Sequence, residues 1–313
     1  MKQQFIVKNF KLDTIDLIRE ANLIVQEYSR QGFVLTLRQL YYQFVARGKF
    51  PDDRRYTWTG AKWKKDANGT KNAQPNYKWL GKCINDGRLA GLVDWLSIED
   101  RTRNLVGNAH WLNAVEAVQA VEGQFRIDLW ARQPHRVEVW IEKEALTGVI
   151  SGVCNRLDVP FLACRGFVSQ SEMWRGFRRS ENHPVILLHL GDHDPSGMDM
   201  TRDNRDRLND VFGGRVEVRR LALNMDQIEE QNPPSDPAKS TDSRFPEYRR
   251  RYGPDSWELD ALEPAFINDL IETNVKSIRD DGLWREANEE QEAERQKITD
   301  AIEWIGNQQG DAE

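Results

Sequence analysis

The stretch Val185-Ile-Leu-Leu-His-Leu-Gly-Asp-His-Asp-Pro-Ser-Gly197 decides how the chain is read. Val185 to Leu190 is apolar without a regular polar alternation, which predicts a strand buried on both faces, as in a parallel sheet. Gly191 ends the run and Asp192 and Asp194 follow at once. Pro195, Ser196 and Gly197 then break the strand before a helical pattern over Met198–Val211. Open α/β sheets carry their chemistry at the carboxyl ends of strands, so both carboxylates stand where chemistry is expected. Two neighbouring carboxylates repel unless a cation lies between them, and an oxygen-only donor set suits Mg2+ or Mn2+. Alone, an Asp-x-Asp is a weak signal, since it also occurs in phosphatases, sugar-nucleotide transferases and plain Asx turns.

A second strand lies upstream in Val137-Glu-Val-Trp-Ile-Glu-Lys-Glu-Ala-Leu146 and places Glu142 at its carboxyl end, with Glu144 as the alternative ligand. Strand and helix alternate around these two: strand 137–142, helix 144–157, strand 160–164, helix 169–180, strand 184–190, helix 197–211 and strand 215–223. That rhythm predicts an α/β unit with a mostly parallel sheet flanked by helices. Gln133 and Pro134 mark a boundary, giving domains 1–133 and 134–313. Beyond the sheet, 232–246 reads as a long polar loop. Trp257–Leu262 leads into a helix to about Ser277, and Trp284–Glu313 reads as a charged helix and tail, solvated or a dimer contact.

The chain has 313 residues, of which 30% are charged, and a formal net charge of −6. The charge is unevenly divided. Residues 1–135 hold 21 Lys and Arg against 14 Asp and Glu, a charge of +7, and the remainder holds 23 against 36, a charge of −13. A polyanion-facing first half and a carboxylate-rich second half would produce this split. Cys83, Cys154 and Cys164 form neither a zinc pattern nor a disulfide framework, which points to a reducing cytoplasm. The first residues carry no long apolar region, and no stretch reaches membrane-spanning length, so a soluble intracellular protein is expected.

In the first half, Ile15, Ile18, Ala21, Ile24, Val25 and Tyr28 recur with a helical period over Leu12–Arg30, and Gly32 lies past the end. Thr36 with Gln39 reads as a capping box opening a helix that Gly48 terminates. Two helices joined by a short turn suggest a helix-turn-helix or winged-helix module. From Arg47 to Lys82, the basic residues Arg54, Arg55, Lys62, Lys64 and Lys65 and their neighbours interleave with Tyr56, Trp58, Trp63, Tyr77 and Trp79. Cations with aromatic surfaces suit a nucleic-acid groove, and they equally suit a solvated loop whose tryptophans pack on the domain. Asn76–Asp86 and Trp111–Val121 read as helices, and Phe125–Trp130 as a strand.

A glutamate after one strand and an Asp-x-Asp after a later one resemble the signature of the Toprim domain. With both halves in this order, residues 10–280 resemble the A subunit of type IIB topoisomerases (topoisomerase VI) and the related meiotic double-strand-break transesterase. Compact size and the Thr241-Asp242-Ser243-Arg244 loop are closer to the short phage and plasmid versions. That family carries Arg-x-x-(Phe/Tyr)-Tyr on a helix, matched here by Arg38-Gln39-Leu40-Tyr41-Tyr42. The resemblance implies that Tyr42 is the nucleophile, Arg38 its support, and Glu142, Asp192 and Asp194 the ligands of Mg2+ or Mn2+. It further implies a winged-helix domain before a Toprim domain, and double-stranded DNA as substrate. A phosphotyrosyl bond to the 5′ end and a homodimer in which one chain's tyrosine meets the other's metal also follow. Glu258 and Asp260 match a later acidic motif of that family.

Such an enzyme would work in the cytoplasm on the nucleoid. The chain holds no nucleotide-binding P-loop, so strand passage would require a separate GHKL-type ATPase B subunit. Two other readings stay open. A hydrolytic Toprim nuclease needs only the three carboxylates, and a non-catalytic DNA-binding dimer needs only the basic first half. Tyr41 and Tyr42 are adjacent on a helix, so one of them belongs to a core. His189 reads as a buried strand histidine, His193 as a phosphate contact or a solvent-facing side chain, and Lys143 as a phosphate contact or an ordinary surface lysine.

Overall fold

The computed structural model describes residues 2–99 and 108–310, the main chain alone being described at Glu99 and over 306–310. The last three residues, which the reading of the charged tail included, lie outside the described residues. The chain opens on α1 (Leu12–Arg30), whose Leu17, Ile18, Ala21, Ile24, Val25 and Tyr28 are buried as the helical period requires. A two-residue strand, β1 (Leu35–Thr36), leads into α2 (Leu37–Ala46). The capping box is formed: Thr36 Oγ1 accepts from the Gln39 amide at 3.3 Å, and Gln39 Oε1 accepts from the Thr36 amide at 2.9 Å. Gly48, at φ +63, turns the chain away just past the helix. Every residue from Gln39 to Phe44 is buried, so α2 is enclosed on nearly all sides rather than on one stripe.

A hairpin of β2 (Tyr56–Trp58) and β3 (Trp63–Lys65) follows, then α3 (Gln74–Leu89) and β4 (Ile98–Glu99), which pairs parallel to β1. Helices α1, α2 and α3 share one core, in which Leu35, Leu40, Phe44, Leu80 and Ile84 are fully buried. Next comes α4 (Ala114–Gln124). The strand expected over Phe125–Trp130 does not form. Its amides are taken instead by side chains: Ile127 N donates to Gln291 Oε1, Leu129 N to Asp158 Oδ2 and Trp130 N to Asp128 Oδ1. Side-chain acceptors, two of them distant in sequence, satisfy these amides in place of a strand partner.

The second half is built on β5 (Arg136–Ile141), α5 (Thr147–Arg156), β6 (Phe161–Ala163), α6 (Gln170–Ser180), β7 (Val185–Leu190), α7 (Pro195–Asp206) and β8 (Val216–Ala222). The four strands pair in parallel in the order β6-β5-β7-β8. This is a mixed α/β protein with a parallel four-stranded sheet among helices. All six residues of β7 are buried. Side chains alternate between two cores: Val137, Val139, Ile141, Ile186, Leu188 and Leu190 face α5 and the later helix over Pro264–Ile278, while Trp140, Val185 and Leu187 face Met173 of α6 and Leu208. From β6 the chain crosses over to the other side of β5 to begin β7. The ends of β5 and β7 therefore flank a switch point, where such sheets open a crevice.

Pro195, Ser196 and Gly197 do not form a break. They are the first turn of α7, because Asp194 caps the helix and proline is suited to that turn. The expected loop 232–246 contains β9 (Ser235–Pro237), which follows α8 (Met225–Gln231) and pairs antiparallel to β10 (Asp255–Trp257) beyond α9 (Phe245–Tyr252). The chain ends in α10 (Pro264–Ile278) and α11 (Asp281–Gly310). The start of α11 is bound to its own chain rather than left to solvent: Ala287 and Gln291 are buried, and Trp284 packs edge-on against Trp130. Among the described residues, no helix is long and apolar enough to cross a membrane.

Candidate active site at the ends of two parallel strands

Glu142 follows β5 and Asp192 follows β7, and the strand register brings them together: Glu142 Oε2 accepts from the Asp192 amide at 2.9 Å. Asp192 is 7% exposed. Its Oδ1 accepts from the Leu259 amide at 2.8 Å and its Oδ2 lies 3.0 Å from the Lys143 ammonium. Burial pushes both the Glu142 and Asp192 carboxyls above the usual carboxylate range. Asp194 has turned to the helix it caps, with Oδ1 accepting from Gly197 N at 2.6 Å and Ser196 Oγ at 3.0 Å. Glycine is required at 197, since a Cβ there would lie 2.3 Å from the Asp192 carbonyl oxygen.

The loop between strand and helix is pinned by a residue that lies outside every motif read above. Arg220, on β8, donates to the carbonyls of Gly191, Asp192, Gly197 and Leu223 and to Thr201 Oγ1. Burial lowers its pKa to about 10, against the pull of the nearby carboxylates. A second arginine in the polar-looking run Val216–Ala222 was the only signal available.

The five-residue motif of α2 faces the same site. Arg38 Nη2 donates to the Tyr42 hydroxyl at 3.2 Å and to Glu258 Oε1, while Arg38 Nε donates to Glu258 Oε2 at 2.8 Å and lies 3.1 Å from Asp260 Oδ2. Lys143 carries the network onward, with its ammonium 2.8 Å from Glu258 Oε2, 2.5 Å from Asp260 Oδ1 and 3.0 Å from Asp192 Oδ2. Burial opposes the charge on Lys143, but Asp260, Asp192 and Glu258 more than offset it and hold the ammonium above its ordinary range. Glu258, likewise opposed by burial, is kept ionised by Lys143 and Arg38. One polar chain thus connects Tyr42, Arg38, Glu258, Asp260, Lys143 and Asp192 within a single molecule.

Tyr42 is 2% exposed. Burial pushes its hydroxyl above the ordinary phenol range, Glu258 adds to that, and Arg38 opposes it. Tyr41 is the neighbour committed to the fold, its hydroxyl accepting from Ala73 N at 2.7 Å and donating to Asn72 Oδ1 at 2.8 Å. Asn72 in turn donates to Asp236 Oδ1 at 3.0 Å. Sequence reasoning missed Asp236 because it sits in the segment read as a loop. Burial pushes its carboxyl up to about 6, with Glu258 adding to the shift. A carboxyl raised in the folded state costs stability above that pKa and costs nothing below the unfolded value. Asp236→Asn is therefore expected to raise the thermal midpoint at pH 8, with the gain shrinking as pH falls through about 6 towards 4. A gain that stays constant over that range would assign the effect to packing instead.

His189 is buried, as its strand position suggests, with Nδ1 on Thr201 Oγ1 at 2.8 Å. His193 faces neither solvent nor an open phosphate position. It is 1% exposed, bonded to Tyr248 at 2.7 Å and enclosed by Tyr248, Tyr252 and Trp257. Burial lowers its pKa to about 4. Its backbone pairs with Trp257, which brings the Glu258–Asp260 segment against the strand ends.

Mg2+ or Mn2+ would require Glu142, Asp192 and Asp194 to converge. Their oxygens have the right chemistry, yet they are turned to Asp192 N, Lys143 and the α7 cap. Among the described residues, no group of three or more His, Cys, Asp or Glu side chains is placed to hold a metal ion. As arranged here, the carboxylates do not fit the ion. On the hairpin, Lys62, Lys64 and Lys65 are exposed beside Trp58. Arg54 instead stacks on Trp79 at 3.8 Å, and Arg55 donates to the Gly69 carbonyl. The chain matches no family model and no curated protein.

Proposed function

We propose that the protein is a DNA-cleaving transesterase of the type IIB topoisomerase A-subunit kind, cutting double-stranded DNA through a phosphotyrosyl bond to the 5′ end. The observation that carries this reading is the continuous polar network from the Tyr42 hydroxyl through Arg38, Glu258, Asp260 and Lys143 to Asp192. A hydroxyl nucleophile with cations beside it is what phosphodiester exchange needs. In this reading the Tyr42 oxygen replaces the 3′ oxygen on phosphorus, and the bond energy is kept for resealing. Arg38 holds the phosphate and stabilises the phenolate. Attack requires the α2 face to part from the Leu259–Ala261 turn, which uncovers Tyr42 and frees Arg38 from Glu258. Glu142, Asp192 and Asp194 would hold Mg2+ or Mn2+ only in another arrangement, in which the ion would stabilise the leaving oxygen.

The remaining parts of the reading follow from the same class. Residues 1–133 serve as a winged-helix DNA-binding domain, with Lys62, Lys64 and Lys65 along the DNA backbone. Residues 134–313 form a Toprim domain and its helical tail. Two copies act as a two-fold dimer, matching the pseudo-dyad of DNA, with a separate GHKL-type ATPase for strand passage and the nucleoid as workplace.

One observation favours hydrolysis by water over transesterification: Tyr42 is buried and its phenol is held protonated. A denaturant quench after incubation with DNA and Mg2+ decides between them. The transesterase leaves protein covalently attached to 5′ ends; cut DNA with protein-free ends would overturn the proposal.

A further inference from the structure

We infer that the free end of the β2–β3 hairpin is a binding site for single-stranded DNA, with a base stacked on Trp58 and the adjoining phosphates held by Lys62, Lys64 and Lys65. The inference rests on the proposed reading for DNA as the partner and deepens it by naming the form of DNA that the hairpin takes. Trp58 and Trp63 face each other across the strand pair, at the two ends of loop 59–62. Their ring centroids lie 5.5 Å apart, with the planes tilted by 54°. Trp63 is half-buried and backs the pair, while Trp58 is 42% exposed. Among the described residues, neither ring packs against the core that α1, α2 and α3 share. The exposed indole is thus not needed to close that core. The hairpin itself is well held. Tyr56, at its base, is buried and exchanges two backbone hydrogen bonds of 2.9 Å with Thr70, and Thr59 N donates to the Lys62 carbonyl at 3.0 Å across the loop. Trp58 is therefore presented on an ordered strand pair.

The charge around the rings fits a polyanion. From Arg54 to Lys65 the sequence holds five basic residues and no acid. The acids flanking this run are engaged: Asp66 accepts from Thr57 Oγ1 at 2.7 Å, Asp52 lies 2.8 Å from the Lys71 ammonium, and Asp53 lies 3.3 Å from that of Lys65. Among the described residues, no carboxylate pairs with Lys62 or Lys64, and both side chains are exposed. The register puts Lys65 on the face of the tryptophans and Lys64 on the opposite face, with Lys62 in the loop. A strand crossing the hairpin end therefore meets a cation whichever side its backbone takes. Lysines alone hold duplex and single strand alike, through the phosphates. The indole discriminates. Inside an intact duplex each base face is covered by its neighbours, so an aromatic ring finds a stacking partner only where a base is unstacked. An exposed indole bordered by free cations thus selects DNA with open base faces.

Fluorescence anisotropy of the full-length protein with a labelled thymidine oligomer of about 12 nucleotides, compared with a duplex of the same length and both in EDTA, tests this. Trp58→Ala is expected to weaken binding of the single strand about tenfold, the scale of one lost base–aromatic stack, and binding of the duplex less than about twofold. Lys64→Ala should weaken both forms and flatten their log–log salt dependence, by about 0.7 for the single strand and about 0.9 for the duplex. If Trp58→Ala does not fold, Trp58→Leu keeps an apolar partner for Trp63 and carries the same comparison. Equal loss on both forms overturns the inference, as does a wild type that does not bind the single strand. Binding is read here independently of cleavage. Failure in this assay leaves the covalent-attachment result untouched, and failure of the transesterase reading leaves strand binding measurable.

Discussion

Tyr42→Phe is expected to abolish covalent capture and cleavage of DNA together, by about four orders of magnitude or more, the scale on which removal of an attacking nucleophile acts. The fold should hardly notice. The variant loses one oxygen and one 3.2 Å hydrogen bond from Arg38, whose guanidinium keeps Glu258 and Asp260 as partners. A stability change of about 1 kcal/mol is the expected cost, and DNA binding by the hairpin lysines should persist. Tyr41→Phe gives the opposite pattern. Its hydroxyl satisfies the buried Ala73 amide and Asn72, so the variant should lose about 1–3 kcal/mol of stability and keep its chemistry. Cutting that survives in Tyr42→Phe with protein-free ends would leave hydrolysis by water. Activity lost from Tyr41→Phe alone would place the nucleophile one residue earlier.

The second large effect concerns stability. Arg220→Met should lower the stability of the native state by about 3 kcal/mol or more, the scale of removing a buried charged donor from acceptors that stay behind. Methionine fills much of the same volume but donates nothing to the carbonyls of Gly191, Asp192, Gly197 and Leu223. Arg220→Lys should recover only part of the loss, because one ammonium cannot span acceptors spread around a planar guanidinium. Urea unfolding with unchanged slope and a lowered midpoint is the expected record. A loss below about 1 kcal/mol would mean that the Asp194 cap alone holds the loop.

What the sequence made legible was whatever has a local period. The β7 run has no polar alternation, α1 repeats its apolar residues at helical spacing, and Thr36 with Gln39 forms a cap using only neighbours. The strand ends could therefore be found, and with them Glu142 and Asp192. Elements with polar sequences stayed hidden: α9 is Phe-Pro-Glu-Tyr-Arg-Arg-Arg-Tyr, and β9 contains two residues poor in strand propensity, Asp236 and Pro237. Partnership across long separations was equally invisible. Lys143 read as a phosphate contact or a surface lysine because its acids lie on the β7 end and on a turn 117 residues away. Asp194 shows a different obstacle: one residue type serves both as metal ligand and as helix cap, and only geometry distinguishes the uses.

The join between α2 and the Leu259–Ala261 turn has a consequence for the order of assembly. Arg38 and Glu258 are 220 residues apart, Tyr28 and Glu263 235, and Asn72 and Asp236 164. During synthesis the first three helices are complete long before these acids exist, and the sheet lacks β8 until residue 222. Loop closure on this scale comes late in folding, after the local contacts have formed. A nascent chain therefore passes through a stage in which Arg38 and Lys143 are unpaired and Tyr42 is uncovered. The basic first half then faces the cell without its acidic counterpart. Closure of the Glu258–Glu263 segment converts an open, cationic surface into a balanced and buried one, so the molecule reaches its guarded state only after those residues have been made.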